Sequence, residues 1–502
     1  MTGRRFRGAD GEHVVWLNFK DSEHPLGGGA EEYMHQVTAR MATSGQRVTI
    51  VTSRPNGAAR TTEIAGVTVR RMGNAYTVYL YALLWLLRRR RDIDAIVDTC
   101  NGIPFFSPLA VGRRVPVVVL IHHVHQTMFA QHFRFPLAQI GRWIERVGNR
   151  IVYGERTIAV VSPSSRTEVR RVLGLVGPVF VAANGQAPLL VPGTRRAEAP
   201  RIVCVGRLAP HKRWDLLLRA MPRVAELIPD VEVHLLGDGP CRNQLTALIA
   251  ELGLGDRVTL HGRVDDDERN RMLASGWLTV CTSEVEGWGL AVTEAMSLGI
   301  PAVVLASPGL RDSVRNRSTG WVVARPAHLA GQLTSALIEL EDPAAAALWA
   351  RRCQAWAGRF TWDATTDRIT ALLAAEDARR VAVDRRAVCD LATVVDLPVR
   401  LAARIDFTRL RSVDQIDWEG YDPTDPTSVR VRILLAGFDE SDATALLHRL
   451  GIDTDPATTW VWLARPADLL GWKRAAGPRA GDLRPYFADH CAEPAHSGTR
   501  TT

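Results

Sequence analysis

Short apolar runs alternate along the chain with longer stretches in which apolar residues recur every three or four positions, the pattern of strands and amphipathic helices taking turns. The runs fall into two series. The first spans His13 to Phe19, Arg47 to Ser53, Gly66 to Met72, Ala95 to Thr99, Val115 to Ile121, Thr157 to Ser162 and Val179 to Ala182. The second spans Arg201 to Gly206, Val231 to Leu236, Arg257 to Leu260, Trp277 to Thr282, Pro301 to Ala306 and Trp321 to Ala324. Several are rich in Val and Ile without polar alternation, which predicts parallel strands covered on both faces. Helical spacing marks Glu32 to Ala42, Tyr76 to Leu87, Trp214 to Leu227, Arg242 to Leu252, Ala344 to Trp356 and Trp362 to Leu373.

Asn184 to Pro200, with two glycines and three prolines and little apolar periodicity, separates the series. The predicted architecture is therefore α/β. Two doubly wound, Rossmann-like halves, residues 13–184 and 201–343, are joined by a linker at 185–200 and completed by helices within 344–378. Open α/β sheets bind ligands beyond the carboxyl ends of their strands, so the chemistry is expected in a cleft between the halves. Residues 381–490 change character, with strand-like Val429 to Leu435, helical Ser441 to Leu450, strand-like Thr459 to Leu463 and a Pro-rich loop at Asp422 to Pro426. They read as a small α+β addition with no motif that carries chemistry, and residues 491–502 read as a disordered tail.

Composition narrows the class. Of 502 residues, 46% are hydrophobic and 23% charged, a globular mixture that excludes a mostly disordered or multi-spanning chain. The net charge of +8 is uneven: residues 381–502 hold 15 Lys+Arg against 18 Asp+Glu, leaving 47 against 36 for residues 1–380. Seven scattered cysteines without a CxxC pair predict reduced thiols in a cytoplasmic chain, and polar, basic Met1 to Glu12 does not resemble a secretory signal. Tyr76 to Leu87 is too short to span a bilayer. With Arg88 to Arg91 it leaves two readings open: peripheral contact with the anionic inner face of a membrane through Tyr76 to Arg91, or a core-packed helix whose carboxyl end is matched by positive charge. No recognition module accompanies the basic run, so a nucleic-acid partner is not expected.

Four segments carry candidate chemistry. Ser283 to Met296 follows a strand directly; its Gly287-Trp288-Gly289 turn allows close approach of a ligand, and the helix that follows would aim free amides at an anion. Glu286 in the loop and Glu294 one turn into the helix can accept hydrogen bonds from sugar hydroxyls. Val205 to Asp215 closes the first strand of the second half and places Arg207 and Lys212 where they could neutralise a diphosphate. Gly27-Gly28-Gly29 after the first strand offers a turn that could approach the same group from the opposite half, without the spacing of a dinucleotide or P-loop fingerprint. His122-His123-Val124-His125 ends a buried strand, where a histidine can hydrogen-bond a sugar or move a proton. Zinc is not expected there, because neighbours at a strand end point to opposite faces.

In these segments the sequence resembles the retaining glycosyltransferases of family 4, over about residues 13 to 375. Glu286 and Glu294 match that family's Glu-x7-Glu motif, in which the first glutamate contacts the donor sugar and the second the nucleotide ribose. The resemblance implies the two-domain GT-B fold and transfer of a hexosyl group from a nucleotide-diphosphate sugar (UDP-, GDP- or ADP-linked) to a hydroxyl-bearing acceptor. Configuration would be retained, with no other cofactor and no metal. It implies catalytic roles for Arg207, Lys212, Glu286 and His125, with His122 the second choice of histidine. It places Gly28, Gly29, His122, Gly206, Gly237, Val264, Gly287, Trp288, Gly289, Leu290 and Glu294 around the donor. Gly237 lies in Leu235 to Pro240, similar to the family's second glycine turn; Val264 ends His261 to Val264, similar to the segment that meets the base. Asn184-Gly185 matches the motif before the linker, whereas Gln186-Ala187 departs from the usual Val-Asp. Asp92-Ile93-Asp94 and Asp265 to Asp267 are read as structural, not as metal-binding DxD motifs. A GT-B nucleotide-sugar epimerase, and a sensor or scaffold that binds the donor without turnover, remain the competing readings.

Overall fold

The structure, a computed structural model, describes residues 6–24, 27–126, 128–129, 135–175, 177–187, 189, 191–381, 392–402, 404–405, 415–419, 430–436, 438–452 and 459–463. The tail at 491–502, the Pro-rich loop at 422–426, Cys389 and Cys491 lie outside these residues. Two compact units divide the chain, Met1–Ile369 and Thr370–Thr502.

The amino-terminal sheet of the first unit contains β1 (His13–Leu17), β2 (Arg47–Thr52), β3 (Thr61–Ile64), β4 (Val67–Arg71), β5 (Ala95–Thr99), β6 (Val117–Ile121), β7 (Ile158–Val160) and β8 (Val179–Val181). Their order is β3-β4-β2-β1-β5-β6-β7-β8, parallel except for β3. All five residues of β1, β5 and β6 are buried, the burial on both faces that their unbroken apolar sequence demanded. Strand β3 is absent from the sequence prediction. Its residues Thr-Thr-Glu-Ile are half exposed and carry no apolar run, and it exists because Ala65 (φ 50°) and Gly66 (φ 75°) form a tight left-handed turn back onto β4.

The second sheet system is β9 (Arg201–Val205), β10 (Glu232–Leu236), β11 (Val258–Gly262), β12 (Thr279–Cys281), β13 (Ala302–Leu305) and β14 (Gly320–Val323). The parallel triplets β11-β10-β9 and β12-β13-β14 are linked by a parallel bridge between Ile202 and Leu278, giving the doubly wound order with its crossover between β9 and β12. The Trp214–Leu227 helix covers β9 and β10 with Trp214, Leu217, Leu218, Met221 and Val224, an i, i+3, i+4, i+7 stripe.

The chain then returns to the first sheet. Thr365 Oγ1 donates to the Ala183 carbonyl (2.8 Å), the Gln186 amide donates to the Phe360 carbonyl (2.8 Å), and the Trp362 ring stands edge-on to Tyr33. The departure at Gln186 therefore costs no backbone contact. The Trp362–Val381 helix runs eight residues past the predicted end at Leu373, and the division between units falls inside it, at Ile369/Thr370 instead of near residue 380.

In the second unit, β15 (Ala392–Pro398), β16 (Gln415–Glu419), β17 (Arg430–Ala436) and β18 (Trp460–Leu463) form an antiparallel sheet in the order β16-β17-β15-β18. With the Val399–Ala402 and Glu440–Arg449 helices, this is a split β-α-β-β-α-β unit. Val395, Leu397, Val431, Ile433 and Leu435 pack on Ala443 and Leu447. Sequence patterning found β17, its helix and β18 but not β15 or β16. Among the described residues, no helix is long and apolar enough to cross a membrane.

Candidate active site

The carboxyl ends of β9, β10 and β11 form one wall. Gly206 donates its amide to the Leu236 carbonyl (2.9 Å) and Gly237 to the Gly262 carbonyl (2.8 Å). Gly237 sits at φ 134°, and a Cβ there would lie 2.2 Å from the Gly206 oxygen, so only glycine lets the two turns meet. Val264 follows β11 and is half buried against the core beneath.

Past Gly206 the chain reaches Arg207, which is exposed, and the Pro210–Lys212 turn. The Thr282 hydroxyl donates to the Lys212 carbonyl (2.9 Å), and the Glu284 amide donates to the His211 carbonyl (2.8 Å), stitching this turn to the loop after β12. Lys212 thereby meets Glu286, 74 residues on, in an ion pair through Oε1. The Ser283 hydroxyl donates to the same oxygen (2.9 Å). Burial would raise the Glu286 carboxyl, but the Lys212 ammonium and these hydrogen bonds hold it below the usual carboxylate range. Burial likewise opposes the charge on Lys212, and Glu286 outweighs it, keeping the amine protonated. The site thus stores a localised positive charge beside a carboxylate that is an acceptor only.

The loop 287–290 crosses to the first sheet. A Cβ on Gly287 would lie 2.9 Å from the His122 carbonyl oxygen and 3.1 Å from Val161 Cγ2, so the chain passes flush against the ends of β6 and β7. Trp288 is buried in the amino-terminal core and packs edge-on to Phe360. Leu290 approaches the glycine-rich turn closely: a Cβ on Gly29 would sit 3.2 Å from Leu290 Cδ1. Gly28 precedes the Gly29–Thr43 helix and donates its amide to Glu31 (2.8 Å), which fixes the turn. Gly289, at φ 101°, caps the Leu290–Ser297 helix. Glu294 lies in its second turn and makes no side-chain hydrogen bond or ion pair among the described residues. Burial raises its carboxyl, against the pull of Arg269.

The histidines separate by face. His122 is buried with its ring edge-on to Tyr33 (5.3 Å), and burial pushes its pKa down to about 3. Its ring packs against Tyr33, and its carbonyl, which lies against Gly287, accepts from the Ser165 hydroxyl (3.0 Å). His125 is held by Glu145, whose Oε1 accepts the His125 amide (2.7 Å). Its ring stacks on His123 at 4.1 Å. His123, not among the site residues that the sequence suggests, is the one of these three histidines that feels the Glu286 carboxylate; burial lowers it to about 4, and its Nε2 has no hydrogen-bond partner among the described residues. Glu145 was also missed. It lies in a π-helical turn, Ile144–Gly148, and burial raises its carboxyl to about 7. Helical patterning gives no signal for either residue, because both depend on contacts across the fold.

Asp94 and Asp92 are structural. Asp94 accepts the His13 amide (2.8 Å) at the start of β1, and Asp92 offers its carbonyl to the His13 ring. Asp265 caps the Asp266–Ser275 helix by accepting from the Glu268 amide (2.8 Å). No group of three or more metal-ligating side chains occurs among the described residues.

Two family descriptions match the chain: Glycosyltransferase Family 4 over residues 27–186 and Glycosyl transferases group 1 over residues 192–348. An Alpha-D-kanosaminyltransferase from Streptomyces kanamyceticus is 30% identical over 269 residues, covering 48% of this chain and 68% of its own. A GDP-mannose-dependent alpha-(1-6)-phosphatidylinositol monomannoside mannosyltransferase from Mycobacterium tuberculosis is 29% identical over 195 residues, 37% of this chain and 50% of its own. Sucrose-phosphate synthase from Thermosynechococcus elongatus superimposes with a TM-score of 0.59 at 20% identity, over 71% of this chain and 97% of that one. HepE from Anabaena, solved with UDP and glucose, gives 0.52 at 19% identity over 71% and 98%. At these identities the two structures speak for the fold, and they share it with the facing sheets described above. The chain belongs to glycosyltransferase family 4, the sugar-nucleotide-dependent transferases of the GT-B fold.

Proposed function

We propose that the protein transfers a hexosyl group from a nucleoside-diphosphate sugar to an acceptor hydroxyl with retention of configuration and without a metal ion. The observation that carries this reading is the Lys212–Glu286 pair, set beside the Gly287–Gly289 turn where the two sheets meet. Arg207 and Lys212 take the diphosphate, and the start of the Leu290–Ser297 helix adds unpaired amides of the same sign. When the diphosphate draws the Lys212 ammonium, the Glu286 carboxylate is released to accept from a sugar hydroxyl; Glu294 does the same for the ribose. Gly28 and Gly29 close the turn from the other side, and His125 orients the sugar.

No side chain is nominated as a covalent nucleophile. The leaving diphosphate oxygen accepts the acceptor's proton as the new glycosidic bond forms on the face the diphosphate leaves, so the anomeric configuration is kept. Catalysis then consists of positioning and of stabilising charge on the diphosphate, worth on the order of 2.7 to 4 kcal/mol for each essential donor.

The names of the relatives span an aminosugar transferase and a GDP-mannose-dependent enzyme acting on a phosphatidylinositol mannoside, so the donor panel covers several bases. The test incubates the protein with UDP-, GDP- and ADP-hexoses, reads donor hydrolysis with and without chelator, and follows the anomeric signal of any product by NMR. Chelator-insensitive turnover with a retained anomer supports the proposal. A strict Mg²⁺ requirement, an inverted product, or epimerisation without acceptor would overturn it.

A further inference from the structure

The Val78–Arg89 helix is apolar on two sides. Val78, Ala82 and Leu86 are fully buried at i, i+4 and i+8. On the opposite side Leu80, Tyr81, Leu84 and Leu87 are 39% to 60% exposed, and Tyr76 just before the helix is 82% exposed. A helix that is apolar all round requires cover on both sides, and here one side has none among the described residues. A second segment repeats the pattern. In the Leu137–Trp143 helix and its continuation, Leu137, Ile140, Trp143 and Ile151 are 50% to 76% exposed.

The two segments are neighbours. The Val78–Arg89 helix packs on the short Pro108–Val111 helix, which packs in turn on Asn149–Tyr153, the end of the second segment. Phe105 and Phe106 bridge them, meeting Tyr79 and Tyr153 respectively. Leu109, 69% exposed, lies on the bridge. The charges are of one sign: Arg88 to Arg91, Arg113, Arg114, Arg146 and Arg150 are exposed. Residues 76–91, 105–114 and 135–151 contain no acid except Glu145, which is buried. The first acid beyond them is Asp92, 3.8 Å from Arg89.

We propose that this face of the amino-terminal domain docks on an anionic lipid bilayer, with both helices lying in the interface. Leucines reaching past the arginines, with tyrosines and a tryptophan among them, match the layering of a headgroup region over acyl chains. A protein partner would not need the exclusion of acids from three segments distant in sequence; a negatively charged surface does. Twelve helical residues span about 18 Å, too short to cross a bilayer and suited to lying in it.

The face is joined to the site. Phe129 packs against Gly141 of the second segment on one side and meets the His125 ring on the other (6.5 Å). Docking therefore sets the bilayer one side chain away from a residue assigned to the sugar.

Flotation uses the full chain without donor or acceptor, so its outcome does not depend on the transfer reading. Flotation with vesicles of phosphatidylcholine alone, and with three parts in ten phosphatidylglycerol, is measured at low and high salt. Binding to the anionic vesicles alone is expected, weakened by salt. Each arginine removed should cost about fivefold, so replacing Arg88 to Arg91 by serine should cost more than a hundredfold. Leu84→Glu with Trp143→Glu should abolish flotation while the melting temperature and any donor hydrolysis in solution stay within error of the parent. The proposal is overturned if the parent does not float with anionic vesicles at low salt, or if neither variant weakens binding. It is also overturned if the parent is a dimer in solution that Trp143→Glu splits, since a second copy would then cover the face.

Discussion

Replacing Glu286 by Gln should both destabilise the protein and slow its turnover by about one to two orders of magnitude, and the two losses have different causes. The side chains of Lys212 and Glu286 are 20% and 18% exposed, so most of their hydration has been given up for each other. Removing one partner of a fully buried pair costs about 3 to 5 kcal/mol; the residual exposure here scales that to about 2.4 to 4 kcal/mol. In turnover, the loss of a charged acceptor for a sugar hydroxyl is worth about 1.5 to 3 kcal/mol, or roughly 10- to 150-fold. The assay pairs thermal melts with steady-state donor turnover on Glu286→Gln, Lys212→Met and the double variant. The double variant should melt above Glu286→Gln, because no lone ammonium is left beside the loop, yet turn over no faster than Glu286→Gln. Acid behaviour supplies a further readout. A carboxyl held below its ordinary value of 4.5 gives stability that is present above that pH and is lost as pH falls through the lowered value. Glu286→Gln should remove that share of the acid sensitivity. The reasoning is refuted if Glu286→Gln keeps turnover within threefold of the parent, or if the double variant is as unstable as the two single losses added together.

Arg207→Ala should lower turnover by about 10² to 10³ with little change in melting, since the side chain is exposed; steady-state kinetics decide it. Gly287→Ala places a methyl 2.9 Å from the His122 carbonyl and should reduce turnover at least tenfold by prising the loop from β6, at a cost of about 1 to 3 kcal/mol in stability. Glu145, raised to about 7 by burial from 4.5, contributes its full stability below pH 4.5 and loses it as pH rises through 7, a span of about 3 kcal/mol. Glu145→Gln should therefore flatten the melting temperature between pH 5 and 8, and an unchanged profile would contradict the assignment.

Sequence alone determined the local plan. Ala95–Thr99 and Trp214–Leu227 have the bounds that their patterns predict, because a strand buried on both faces and a one-sided helix are written in consecutive residues. The motif order fixed the family, and the strand-end positions of Gly206, Lys212, Glu286 and Gly287 followed from it. Strand β3 escaped because a half-exposed strand of Thr and Glu has no apolar signature, and β16, Gln-Ile-Asp-Trp-Glu, alternates too briefly to declare itself. Only the tertiary structure decided which charges meet and which faces stay open. Lys212 and Glu286 are 74 residues apart, and their pairing depends on Thr282 and Glu284 binding the turn before them. His122 packs on Tyr33 and His123 feels Glu286 because the chain bends directly after β6, a course that three histidines in four residues do not specify. The apolar outer faces of Val78–Arg89 and Leu137–Trp143 have the same composition as core stripes. Composition sets how apolar a face is; what packs against it sets whether that face is core or surface.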